Sequence, residues 1–530
     1  MRAVIALTLL GLLILAGSPT SGQAPKSGGM LTLRLREDLP QGFAMHETVT
    51  ISTMWPAMPC FSNLVMFDPL KPTHSAETVI GELAERWSWQ DNYRNLVLFL
   101  RKDVTWHDGK PFSAADVKFT FDLVREAPEA GAKLRINPRR EWYANVESVD
   151  AIDSATVVFR LKRPQPALLL MLASGYTPIY AAHLSPASYR TGCVGTGPFK
   201  LKEWRKGEFV EYTRNPHYFM KGRPHLDSLR YVIIAERAMA TGALELARVD
   251  AAFPGETTKP TGDRLRQTVP KLVVTEVNSS VFDSLIVNTR KAPFNHAGVR
   301  EALSRAIDRR ALINAVYQGG AALGATMGPR TAGAWGLVES DLRTLPGYGR
   351  PADEKAKART LLSAAGFGPG KALKVELLTR ALPAFADVAA FVVNEMRSVG
   401  VEASLRQVDT AQWYPLLTRG DFELGVDRTG IADDPDANFY ENFTCGSPRN
   451  YSGYCDDKIA ALIDQQSQEL DPARRIALVH TVQKKLEETA ARPVLCWRLD
   501  YFAAWPYVKN LVPHQSIYSW GRMQEVWLDK

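Results

Sequence analysis

The densest group of chemistry-bearing side chains follows the apolar run at residues 422–426: Asp427-Arg428-Thr429-Gly430-Ile431-Ala432-Asp433-Asp434-Pro435-Asp436-Ala437-Asn438-Phe439-Tyr440. Paired carboxylates serve glycoside hydrolysis as acid and base. That chemistry needs two groups facing each other across a substrate from separate elements, and neighbours in sequence supply only clustering. A calcium loop needs alternating oxygen ligands, a central Gly and a distal Glu, an order this segment lacks. A carboxylate receiving the ammonium of a ligand needs nothing further. Against all three stands the plain reading of a solvated acidic loop that caps the next helix.

Other chemistries find less support. Trp413, Tyr414, Tyr440, Trp497 and Trp520 suit stacking on a sugar or an aromatic side chain, with core or cleft wall as the competing role. The nine histidines are scattered without metal-ligand spacing, so His107 reads as part of a turn, and no metal is expected. No Ser-His-Asp order, nucleophile elbow or zinc helix is present. The Gly195-Thr196-Gly197-Pro198 segment lacks the Gly-Lys-Ser/Thr and following helix of a phosphate loop, and reads as a structural turn. No cofactor and no enzyme activity are expected. A secreted hydrolase using Asp433 and Asp434 is the weaker alternative, because no nucleophile or positioned acid/base pair accompanies them.

The elements that must position these residues form an α/β pattern. At 530 residues, 45% apolar and 23% charged, the chain is too long for one core, and two or three domains are expected. Alternation over residues 30–36 predicts an opening strand. Residues 96–100 predict a buried strand, Asp108-Gly109 a tight turn, and Ser113 with Asp116 a capping box that opens a helix. Another strand pair is predicted at 149–152 and 156–161. Residues 373–377, 384–399 and 401–405 read as strand, helix and strand, a βαβ unit with parallel strands. Short elements follow at 413–417 (helix) and 422–426 (strand). Ligands of open α/β sheets bind beyond the carboxyl ends of strands, which is why the loop after Val426 is the leading site.

The run Leu100-Arg101-Lys102-Asp103-Val104-Thr105-Trp106-His107-Asp108-Gly109-Lys110-Pro111-Phe112 resembles the pattern of family 5 extracellular solute-binding proteins, the peptide and nickel receptors of ABC importers. Gly195-Thr196-Gly197-Pro198, Trp204 and Asn215-Pro216-His217-Tyr218-Phe219 continue the likeness. Residues 430–439 and 443–455 resemble the dipeptide-binding branch. The resemblance implies a two-lobed periplasmic-binding-protein fold (type II, cluster C) with an extra small domain and a cleft that closes on a hinge. Lobe one then comprises 25–57, 185–284 and 497–530, the small domain 58–184, and lobe two 285–496. It also implies a receptor that captures a small peptide or related solute and delivers it to a membrane permease. Oligosaccharide, opine or metal complex are the alternative cargoes. The amine of the peptide falls to Asp433 first and Asp434 second, with Asp436, Trp413 and Tyr440 as neighbours in the site. Arg380 occupies the place of the arginine that takes the carboxylate, a role suited to a planar guanidinium.

Met1-Arg2, an apolar run at 3–16 and small residues to Ala24 have the three regions of a cleaved signal peptide, so residues 1–24 are expected to be removed on export. About 14 apolar residues fall short of the roughly 20 that span a bilayer. The first cysteine is Cys60, so no lipid-anchor Cys is expected and a periplasmic monomer fits. The net charge of +7 comes from dispersed basic residues, which argues against nucleic acid as a partner. Cys445 and Cys455 are expected to form a disulfide in that oxidising compartment, leaving Cys60, Cys193 and Cys496 unassigned.

Overall fold

The computed structural model describes residues 24–431 and 434–530. All but the last residue of the expected leader, and the first-choice Asp433 with Ala432, lie outside the described residues. The opening strand Met30–Leu35 buries Leu31, Leu33 and Leu35, as its alternation requires. It pairs in parallel with Ser228–Ile233 at the edge of a four-stranded sheet that continues through Phe209–Arg214 and Phe199–Arg205.

A six-stranded sheet forms the second layer system, in the order Ala321–Ala322, Val494–Ala504, Val273–Val287, Leu424–Gly430, Lys374–Arg380, Glu402–Val408. Its two long central strands run antiparallel and connect the two halves of the molecule. Ala251 bridges both Leu33 of the first sheet and Ala504 at the end of the second crossing strand. The strand Val273–Val287 changes character along its length. Residues 273–278 are partly exposed, whereas Val281, Phe282, Leu285, Ile286 and Val287 are buried, the continuous apolar run of a strand covered on both faces. Its register against Val494–Ala504 breaks between Asn278 and Phe282, a bulge at residues 279–281.

The βαβ reading matches Lys374–Arg380, Pro383–Arg397 and Glu402–Val408, with the two strands parallel. The strand expected at 422–426 instead spans Leu424–Gly430, so Asp427, Arg428 and Thr429 belong to the sheet and not to a loop. Backbone pairing with residues 281–287 carries it on, and each polar side chain finds a buried partner. Arg428 Nε donates to Asp283 Oδ1 at 3.0 Å, and Arg492 Nη2 donates to Thr429 Oγ1 at 2.6 Å. Asp427 lies 3.7 Å from the same guanidinium.

A separate antiparallel sheet, Ala84–Gln90, Asn95–Leu100, Thr156–Leu161 and Val146–Asp153, is covered by the helix Ala114–Val124. The capping box is present: Ala115 N donates to Ser113 Oγ and Ser113 N to Asp116 Oδ2. Asp108-Gly109 turns with Gly109 at φ +89°. His107 accepts from Gly195 N through Nδ1 and donates through Nε2 to Gly197 O, so the two recognisable segments hold each other. Gly195 and Gly197 are required there, since a Cβ on Gly195 would stand 1.8 Å from the Cys60 carbonyl oxygen. At this junction Cys60 is bonded to Cys193, a pairing the sequence reading left unassigned. Cys445 is bonded to Cys455, and Cys496 is free and buried. Beyond Ala504 the aromatic tail returns to the first half, with Trp520 packed on Trp55 and Phe502 and Arg522 paired with Glu82 at 2.6 Å. Among the described residues, no helix is long and apolar enough to cross a membrane.

Candidate functional site

Where the two sheets face each other, a small, partly open cavity of about 20 Å³ lies between them. The first half contributes Arg36, residues 49–51 and Pro254-Gly255. The second contributes Arg380, Phe385, Tyr414, Arg428 and Gly430, and the crossing strands supply Val281 and Arg498. Tyr518 from the tail closes one side, its ring so near Gly430 that a Cβ there would lie 2.1 Å from it. Thr410 Oγ1 donates to Glu37 Oε2 at 2.8 Å, a direct bond across the cleft.

Strand ends set the positions of these groups. Arg36 directly follows the opening strand, and Arg380 is the last residue of Lys374–Arg380, as expected for ligand-facing positions at carboxyl ends. Arg36 Nη1 donates to Glu256 Oε1 at 3.0 Å and Nε to Ser52 Oγ. Burial opposes the charge on both, yet each holds the other ionised: Arg36 is raised, and Glu256 is depressed to about 2 by Arg36 and Arg34. Arg428 is likewise raised despite burial, by Asp283 and Tyr317. Tyr317 Oη in turn donates to Asp283. Arg380, only 2% exposed, has no carboxylate partner among the described residues. One nitrogen reaches Thr410 Oγ1 at 3.4 Å, its Nε has no partner, and the guanidinium lies 3.9 Å over the Phe385 ring.

The remaining sequence candidates lie elsewhere. Asp434 caps the helix Pro435–Asn442 and receives both arms of Arg475, at 2.9 and 2.7 Å. Asp436, fully buried, accepts from Gln165, Gln466, Ser467 and Arg475. Burial and the neighbouring Asp434 push its carboxyl upward against the pull of Arg475. Tyr440 Oη donates to Asp464 and accepts from Arg163. Trp413 is 0% exposed, packed with Leu378, Leu417 and Phe422 in a core under the cleft. None of these four lines the cavity; Asp434 and Asp436 are neutralised in the interior, and Tyr440 and Trp413 are packing residues. Through Asp436 and Ala437, whose carbonyl accepts from Trp142 Nε1, the helix Pro435–Asn442 instead joins the small antiparallel sheet's domain.

Sequence reasoning missed Arg36, Arg428 and Arg498. Arg428 stood in the quoted loop but was overlooked for the acids around it; Arg36 and Arg498 carry no local signal beyond following or lying in an apolar strand. A second cavity lies beyond the bulge, lined by Ser279, Ser280, Ile431, Trp335 and Trp497 among others. Both ring nitrogens of His107 are taken, by Gly195 N and Gly197 O, and burial lowers it to about 4. Among the described residues, Cys445, Cys455 and Asp457 have metal-ligand spacing, but the two sulfurs are joined to each other.

Comparison with known proteins matches residues 78–451 to the family model described as bacterial extracellular solute-binding proteins, family 5 Middle. The dipeptide-binding protein of Escherichia coli is 26% identical over 485 residues, covering 86% of this chain and 86% of that protein. Di/tripeptide-binding protein 2 of Pseudomonas aeruginosa is 25% identical over 515 residues, 92% of each chain. The fold is that of a Helicobacter pylori periplasmic binding protein solved in complex with the peptide STSA. That likeness has a TM-score of 0.82 at 20% identity and covers 95% of this chain and 99% of the other.

Proposed function

This chain belongs to the bacterial extracellular solute-binding proteins, family 5, and from that premise we propose that it is the periplasmic receptor of an ABC importer for a small peptide or related solute. In this reading residues 25–57, 185–284 and 497–530 form lobe one, 285–496 lobe two and 58–184 the extra domain. The chain is exported by its leader and hands the solute to a membrane permease. The observation that carries the ligand assignment is Arg380, a buried guanidinium without a carboxylate partner among the described residues, facing an interlobe cavity. A buried unpaired charge is costly, and the carboxylate of a bound peptide supplies the missing partner through two parallel hydrogen bonds. The peptide's ammonium is assigned to Asp433, on the sequence pattern alone.

Closure follows from contacts made on both sides. A solute touching Arg36 and Arg380 together stabilises the closed arrangement by as much as its affinity for that form exceeds its affinity for the open one. The test is thermal unfolding of the purified protein with Ala-Ala, Ala-Ala-Ala and maltose. Peptides at about 100 times Kd are expected to add roughly 2.7 kcal/mol of stability, with no change from maltose. Arg380→Ala is expected to abolish the peptide shift while the protein remains folded by circular dichroism. Stabilisation by maltose and by neither peptide overturns the reading.

A further inference from the structure

We propose that the solute carries two acidic groups at one end, received by Arg380 and Arg498 in the interlobe cavity. This rests on the reading that the cavity between the lobes takes the solute. Four guanidinium groups line that cavity, those of Arg36, Arg380, Arg428 and Arg498, and none of its described lining residues is acidic. Two of the four are matched by a carboxylate behind them: Arg36 by Glu256 at 3.0 Å and Arg428 by Asp283 at 3.0 Å. The other two are not. Arg380 has its single 3.4 Å contact to Thr410 and an unpartnered Nε. Arg498, 6% exposed, has an unpartnered Nε, and its guanidinium lies against Gly255, with Nη1 3.3 Å from where a Cβ would stand.

The nearest acid to Arg498 along its own strand is Asp500. Its Oδ2 accepts from the Gly255 N–H, and among the described residues no carboxylate forms a direct ion pair with Arg498. Phe385 explains how the cluster is tolerated. Arg380, Arg428 and Arg36 stand 3.9, 4.8 and 5.9 Å from its ring centre, where the ring's electron-rich face offsets part of the charge. A ring satisfies charge without satisfying N–H groups, and the donors of Arg380 and Arg498 remain open. One terminal carboxylate answers one of these two arginines; a second acid answers the other. The chemical class is therefore a di- or tripeptide ending in Asp or Glu, or an iminodiacid with the same pair of carboxylates. Charge-assisted bonds of this kind separate an acid from its amide by about tenfold or more in affinity.

Titration calorimetry of the whole protein at low salt with Ala-Glu, Ala-Gln, Ala-Ala and N-(carboxymethyl)alanine tests this. Ala-Glu is expected to bind at least about tenfold tighter than Ala-Gln, and R498Q to bring that ratio close to one, with Arg498→Lys retaining part of it. The ratio in the unaltered protein decides the matter even where R498Q does not fold. Equal affinity for Ala-Glu and Ala-Gln overturns the inference and leaves the peptide reading standing. Binding of the iminodiacid without any peptide overturns the peptide reading and upholds the two-acid inference. If none of the four binds, both fall.

Discussion

Asp434 and Asp436 share Arg475 in the interior, with contacts of 2.7 and 3.2 Å from one nitrogen. These two members of the carboxyl cluster thereby belong to an internal ion-pair network, while the cavity is lined by the opposite charge. Arg475→Met is expected to cost about 3–5 kcal/mol, since it leaves two buried carboxylates uncompensated and not merely one pair fewer. Urea unfolding measures it. A loss under about 1 kcal/mol shows that water reaches the pair, and that the carboxylates are available after all. At this scale the sequence displayed residue types but not partners. Asp434 and Arg475 are far apart in the chain, and nothing near either one announces the other.

Elements were more legible. The helix Ala114–Val124 begins where Ser113 and Asp116 said it must, because a cap acts within three residues. Ser113→Ala is expected to cost about 1 kcal/mol, and Asp116 lessens nothing of that loss, as its Oδ1 already accepts from Ala182 N. Chemical denaturation followed by circular dichroism reads it; an unchanged midpoint means the cap hydroxyl is replaced by water at no cost. The βαβ unit was readable for the same local reason, an apolar period of two changing to 3.6 and back. The strand Leu424–Gly430 outran its apolar run because Arg492 and Asp283 pay the cost of burying Asp427, Arg428 and Thr429, and both come from other strands or their approaches.

At the scale of the whole molecule, buried titrating groups set the response to pH. His46 is held down to about 3 and His107 to about 4 by burial, so the stability that their neutral forms contribute is complete above about 6.5 and is lost on acidification. Glu487 and Asp500 work the other way. Burial raises them to about 7 and about 6, so their contribution is complete at low pH and is lost as pH rises through those values. The shifts of these two histidines and two carboxyls are of similar size and nearly cancel between pH 7 and 4.5, with Glu82 and Asp436, also raised by burial, adding to the carboxyl side. Below that, Glu256, depressed to about 2, surrenders its stabilisation while His46 continues to lose its own. A plateau in Tm from pH 7 to about 4.5, then a steep fall, is expected in thermal melts at constant ionic strength. A steady decline beginning at pH 7 contradicts it.

By itself the sequence determined the α/β class, the family resemblance, the capped helix, the Asp108-Gly109 turn and the βαβ unit, because each is decided by residues within a few positions of one another. Arg380 too was legible, as the end of a strand in a known pattern. Only the tertiary structure decided that Cys60 meets Cys193 across a separation of 133 residues, and that Trp413 is core. It also decided that Asp434 and Asp436 are spent on Arg475 while Arg498 is left open. Whether a charge is available to a ligand depends on what else is buried beside it, and burial is a property of the packed chain.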